Sequence, residues 1–205
     1  DFVLVGATES QDVDISKPRG SYDFWVIKIN ATGDLIWERS IGGSDYDSAS
    51  SIIETLSGEY LIAGQSYSQD IDVLNPQGSS DILLAWISQE GVLRKTKNLG
   101  HQGFETVNQL VQRSDGTLLA IGHSTSSFIS QDQENQLNND VLLVHTLPNG
   151  SEISSYTLSG EGLNIGESLT TSADGKIIVV GSTESTSGDF SNSNGDKDLF
   201  IAVWN

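Results

Sequence analysis

Four stretches constrain this chain more than anything else in it: DFWVIKIN (23–30), DILLAWIS (81–88), DVLLVHTL (140–147) and DLFIAVWN (198–205). Their leading aspartates, Asp23, Asp81, Asp140 and Asp198, are 58, 59 and 58 residues apart. Each aspartate is followed by four apolar residues, as in Phe24-Trp25-Val26-Ile27 and Ile82-Leu83-Leu84-Ala85. A strand with one wet face alternates apolar and polar residues, so an unbroken apolar run predicts cover on both faces.

Three further strands share this beat. A glycine-ended strand precedes each aspartate run: DFVLVG, EYLIAG, TLLAIG and KIIVVG, ending at Gly6, Gly64, Gly122 and Gly181. We label it B and the aspartate strand C. Strand D is LIWERSIG (35–42), VLRKTKNLG (92–100) and SEISSYTLSG (151–160). Strand A is DSASSIIET (47–55), ETVNQLVQR (105–113) and NIGESLTTS (164–172). C meets D through Gly33, Gly91 and Gly150, and A meets B through Gly58, Gly116 and Gly175. Such short turns predict hairpins with glycine at a positive-φ position.

The count is B-C-D, A-B-C-D, A-B-C-D, A-B-C. Four-stranded units of this length predict an all-β fold, a β-propeller of antiparallel blades with about three and a half blades present. The chain is then a single propeller region, 1–205, with repeats near 1–46, 47–104, 105–163 and 164–205. It opens inside a repeat at Asp1 and contains no methionine, which reads as a trimmed, processed or partial polypeptide. Without an A strand at one end and a D strand at the other, the ring is expected to be completed by further residues of the same polypeptide or by another chain.

The 28 acids and 10 bases give a net charge of −18. Such a surface repels nucleic acid and anionic lipid. No run approaches the ~18 apolar residues of a membrane helix, so direct membrane insertion is not expected. Disulfides and thiolate metal sites are excluded by the lack of cysteine. His101, His123 and His145 fall at unrelated points of the repeat, so no shared zinc site is predicted.

Alternating strand direction puts the B–C and D–A loops at one end, and these are the long ones. Loops on a rigid scaffold carry binding more often than tight turns do. In register, the B–C loops share Asp14, Asp72 and Asp189, then Gly20, Gly78 and Gly195, then Asp23, Asp81 and Asp198, while the third repeat has Ser130 at the first position. Asp14, Asp23, Asp72, Asp81, Asp189 and Asp198 are candidate calcium ligands, because calcium takes several oxygens. The competing reading makes them loop caps. The D–A loops give a column of Tyr46, Phe104 and Leu163, then Asp47, Glu105 and Asn164. Apolar followed by acid or amide reads as a packing anchor beside a polar rim group. With His101 in the same loops, these six are the candidate binding residues; no catalytic residue is assigned. The tryptophans Trp25, Trp37 and Trp86 are expected to pack between sheets.

DFWVIKINATGDLIWERSIGGSDYDSASSIIETLSGEYLIAGQSYS (23–68) resembles the propeller repeats common in secreted and cell-surface proteins of Bacteroidota. Those repeats read as an Asp-Phe-Trp strand, a glycine turn, a tryptophan strand and a Gly-Gly-Ser loop. The other repeats match in spacing, but Lys95 and Ser154 replace the D-strand tryptophan. The resemblance implies export, often by the type IX route, and an extracellular or outer-surface location. NATGDLIW (30–37) also looks like the tryptophan-docking turn of quinone-cofactor propellers, in one repeat only.

The expected function is a non-enzymatic binding or scaffold module of a surface assembly. It would meet a protein or glycan partner, require no cofactor and have calcium as an optional ligand. The alternative is a polysaccharide hydrolase or lyase with Asp47 and Glu105 as paired carboxylates.

Overall fold

The computed structural model describes residues 1–10, 12, 15, 17–125 and 138–204, all but one short 3-10 turn of which are strand or loop. The strands are β1 (Phe2–Thr8), β2 (Asp23–Ile29), β3 (Leu35–Ile41), β4 (Asp47–Glu54), β5 (Tyr60–Ser66), β6 (Asp81–Ile87) and β7 (Leu93–Leu99). They continue as β8 (Phe104–Gln112), β9 (Leu118–Thr125), β10 (Asn139–Thr146), β11 (Glu152–Leu158), β12 (Asn164–Thr171), β13 (Ile177–Thr183) and β14 (Asp198–Trp204). They form four antiparallel sheets: β1-β2-β3, β4-β5-β6-β7, β8-β9-β10-β11 and β12-β13-β14. The chain divides into two compact units, Asp1–His101 and Gln102–Asn205, each holding two sheets.

The tight turns are alike. In each, the first residue's N–H bonds the carbonyl four residues on, and a glycine N–H bonds back to the first residue, as in Ser88–Val92 and Leu147–Ser151. Gly33, Gly58, Gly91, Gly116, Gly150 and Gly175 all have φ between 79° and 90°. A side chain there would strain the backbone, which is why glycine recurs on the beat.

In the first unit, Phe24, Val26 and Ile41 of the first sheet face Ile62, Leu83, Ala85 and Ile87 of the second. In the second unit, Leu119, Ile121, Val141 and Leu143 face Leu169, Ile177 and Val179, with Phe200 and Trp204 packed alongside. The first, second and fourth B–C loops add an apolar plug one residue after the first loop aspartate: Val73 and Phe190 join these cores, and Ile15 is also buried. Trp37 packs on the neighbouring C–D turn, where its Nε1–H donates to the Gln89 carbonyl at 3.0 Å. In the second sheet Lys95 takes the D-strand position and lays its ammonium 3.9 Å from the centre of the Trp86 ring, an attraction between cation and π face.

Cover on both faces holds for β6, buried at every position, and for Val141 to Val144 of β10. It fails at β14. Phe200 and Trp204 face the core, while Leu199, Ile201 and Val203 on the opposite face are 75%, 65% and 57% exposed. Phe2 and Leu4 of β1 are likewise open, on the face opposite Val3 and Val5. Both faces belong to three-stranded sheets, and no described residue of either unit covers them.

Every A strand bulges opposite the B-strand glycine: the register shifts between Ala49 and Ser51, Val107 and Gln109, and Gly166 and Ser168. The bulge brings backbone into the space of a side chain. A Cβ on Gly64, Gly122 or Gly181 would strike the carbonyl oxygen of Ser48, Thr106 or Ile165. Gly6, whose sheet lacks an A strand, has nothing within 4 Å of that point. Gly122→Ala should therefore destabilise by about 1–3 kcal/mol, because only backbone could give way. Gly6→Ala should be neutral or slightly stabilising. Urea midpoints of the two variants against the parent chain measure the contrast.

Candidate functional site

The long-loop end is built on the C-strand aspartates. Asp23 Oδ2 accepts the Arg19 N–H at 2.7 Å. Asp81 accepts the Gln77 and Gly78 N–H groups at 2.6 and 3.1 Å, and Asp198 accepts the Asn194 N–H at 2.7 Å. Each carboxylate closes its B–C loop over the strand start, in the manner of an Asx cap. Burial pushes the carboxyls of Asp23 and Asp81 above their ordinary range, against these hydrogen bonds. Exposed His101 lies close enough to Asp81 to pull it part of the way back down.

The first loop aspartates have a different job. Asp72 exchanges backbone contact with Gly42 of the preceding D–A loop, its N–H donating to the Gly42 carbonyl at 3.1 Å, and its carboxylate pairs with Arg19 at 3.1 Å. Asp189 docks identically on Ser159, donating its N–H at 2.9 Å and accepting the Ser159 N–H at 2.8 Å. Asp14 lies outside the described residues, as does Ser130. Among the described residues, no group of three or more His, Asp or Glu is placed to hold a metal ion.

The D–A column reverses the expected roles. Asp47, Glu105 and Asn164 are buried, at 0%, 3% and 0% exposure, whereas Tyr46, Phe104 and Leu163 are exposed at 39%, 38% and 36%. The polar residue, not the apolar one, is the anchor. Asp47 Oδ2 accepts the Gly43 N–H at 2.7 Å and the Ser68 hydroxyl at 2.8 Å. Asn164 does the same work with an amide: Nδ2 donates to the Gly160 carbonyl at 3.1 Å and Oδ1 accepts from Thr183 at 2.6 Å. Strand alternation then turns the residue before it to the surface.

At the junction of the first two sheets the surface residue is one of three tyrosines. Tyr46 bridges to Tyr22, at the end of the first B–C loop, and its carbonyl accepts the Tyr67 N–H at 2.9 Å at the start of the second. The Tyr22 and Tyr46 rings are 5.3 Å apart and tilted by 47°; Tyr46 and Tyr67 meet edge to face at 5.9 Å. Glu9 hydrogen-bonds the Tyr22 hydroxyl and pushes its phenol above the usual range. Exposed Asp45 and Asp70 flank the group. Of this cluster only Tyr46 stands out from the repeat pattern. Tyr22 and Tyr67 are visible in the sequence only as the residue before a C-strand aspartate and the third after a B-strand glycine. The histidines do not converge: His123 Nδ1 pairs with Thr106 Oγ1 at 2.9 Å, and His145 lies near Arg113 and Asp115.

Burial raises the carboxyl of Asp47 above its ordinary 3.8, with neighbouring Asp23 adding to the shift. A raised acid contributes stability that is full below its unfolded value and lost as pH rises through the folded one. Asp47→Asn, copying Asn164, removes that dependence. The variant's advantage over the parent should therefore be greatest near neutral pH and fade as pH falls toward 3.8. Denaturant titrations at several pH values measure it; an advantage that grows on acidification contradicts the burial argument.

Comparison with known proteins finds no family model that matches the chain and no curated protein that matches it.

Proposed function

We propose that the chain forms part of a secreted or cell-surface β-propeller of the Bacteroidota repeat type, serving as a binding or scaffold module. Three features support the propeller. The four sheets share one register. Within each unit, successive sheets pack face to face through the same columns. The bridge between Tyr22 and Tyr46 in the first unit recurs between Asn139 and Leu163 in the second. Leu199, Ile201 and Val203 occupy the column that Phe24 and Val26, Ile82 and Leu84, and Val141 and Leu143 bury in the earlier sheets. On this reading a further sheet, from more of the same polypeptide or from another chain, covers them.

The observation that carries a binding role is the exposed tyrosine cluster at the long-loop end. Asp47 and Glu105, the carboxylates a hydrolase or lyase would use, are both buried, which argues against their presentation to a polysaccharide. The partner is a protein or a glycan. Nucleic acid is disfavoured by the charge of −18. Among the described loop aspartates, Asp23, Asp81, Asp189 and Asp198 accept backbone N–H groups and Asp72 pairs with Arg19, so the reading requires no calcium.

Two outcomes test it. The native protein should have a mass above the 22.0 kDa of one such chain, and Ile201→Lys should break that assembly at little cost to folding, since the site is exposed. Light scattering after size exclusion measures this, and a stable 22.0 kDa monomer sinks the closure argument. A chelator should leave the melting temperature unchanged; a fall would assign the loop aspartates to calcium.

A further inference from the structure

The tyrosine cluster is not demanded by the fold. At the equivalent junction in the second unit, Asn139, Leu163 and Glu184 stand where Tyr22, Tyr46 and Tyr67 stand in the first. The backbone there is the same: Asn139 bridges to Leu163, and the Glu184 N–H donates to the Leu163 carbonyl at 2.9 Å. Three large aromatic side chains have therefore been placed at one junction without any backbone requirement for them.

Their surroundings select the ligand. Tyrosine ring faces are the negative part of the aromatic quadrupole and attract cations within about 6 Å. Glu9 hydrogen-bonds the Tyr22 hydroxyl, exposed Asp45 precedes Tyr46 in the chain, and exposed Asp70 accepts the Ser44 N–H at 2.8 Å, two residues from Tyr46. The nearby cation, Arg19, is already paired with Asp72 at 3.1 Å. The chain as a whole carries −18, which steers positive partners toward it and repels anionic glycans. Arginine suits such a surface better than lysine, because its planar guanidinium stacks on aromatic faces while its N–H groups reach carboxylates.

We propose that Tyr22, Tyr46 and Tyr67, with Asp45 and Asp70 at their margin, form a docking site for an arginine-bearing, basic segment of a partner protein. This deepens the binding-module reading and rests on it. The rings supply stacking area with little conformational freedom to lose, the quality that enriches tyrosine in protein-binding surfaces. The carboxylates supply orientation and association rate, and with them a dependence on salt.

The test uses the 205-residue chain and three probes in titration calorimetry: a short arginine-rich peptide, its arginine-to-lysine counterpart, and a neutral glucan hexasaccharide. The arginine peptide should bind saturably, more tightly than the lysine peptide, and more weakly as salt is raised from about 50 to 300 mM. Tyr46→Leu should weaken it about tenfold or more. That variant gives the junction the residue Leu163 supplies naturally, so its folding is already provided for; an unchanged circular dichroism melt checks this. Asp45→Asn should weaken binding less and flatten the salt dependence. Equal binding by parent and Tyr46→Leu would overturn the site, leaving only diffuse charge attraction. Binding of the neutral glucan, lost in Tyr46→Leu, with none of the peptide, would overturn the basic partner but keep the module. Binding of no probe would overturn the inference and count against the module as well.

Discussion

The long-loop end depends on one repeated interaction: a carboxylate at the head of a C strand holding the N–H of the residue four positions earlier. Asp23 with Arg19, Asp81 with Gln77 and Asp198 with Asn194 make the same closure. The acceptor is charged, short-tethered and buried at Asp23 and Asp81, so the hydrogen bond is a strong one and must stay made. Once the loop is closed, its apolar plug is delivered to the core and the preceding aspartate to the D–A loop of the neighbouring sheet. The clamp thus couples loop, core and sheet junction. It also explains why these acids look like metal ligands in sequence: both jobs need buried oxygens on a glycine-bearing loop. The available backbone N–H groups decide between them.

Much of this was legible before any coordinates, because it follows from periodicity. Fourteen strands, their antiparallel order and six glycine turns follow from a beat that few alternatives fit. The same beat concealed the inversion at the D–A column. Tyr46 before Asp47 looks like an apolar anchor beside a polar rim. Hydrophobicity alone ranks the residues that way, but the loop offers backbone N–H and C=O groups that a polar side chain meets and a tyrosine ring does not, so the polar residue goes inside. Tyr22 and Tyr67 were illegible for another reason. Each sits at the margin of a loop, 45 residues apart in sequence, and only the fold brings both against Tyr46. The plugs Ile15, Val73 and Phe190 keep the beat, each one residue after the first loop aspartate, but a lone apolar residue in a polar loop does not stand out beside the strand runs.

Repetition also shows which residues are free to change. Asp47 and Asn164 meet the same loop with opposite hydrogen-bond polarity, one accepting a backbone N–H and the other donating to a carbonyl. The position therefore requires a polar group but not a charge. Lys95 over Trp86 and Trp37 on the Gln89 turn are two different uses of one D-strand position, which Ser154 fills in the third sheet. Where a column varies and the backbone does not, the variation is available for function, and the tyrosine junction is the largest such departure among the described residues.

The open face of β14 sets the remaining constraint. Fully burying an aliphatic side chain contributes about 1.5–3 kcal/mol, so Leu199, Ile201 and Val203, which are only partly exposed, together forgo roughly 3–6 kcal/mol while uncovered. That is a large share of the net stability of an ordinary domain, about 5–15 kcal/mol. A surface of this kind is not neutral toward its neighbours. Among the described residues β14 is also an edge strand, so backbone groups and apolar side chains are exposed on the same element. The side chains of Leu199, Ile201 and Val203 offer no hydrogen-bonding group, so only apolar side chains packed against that face would recover this energy.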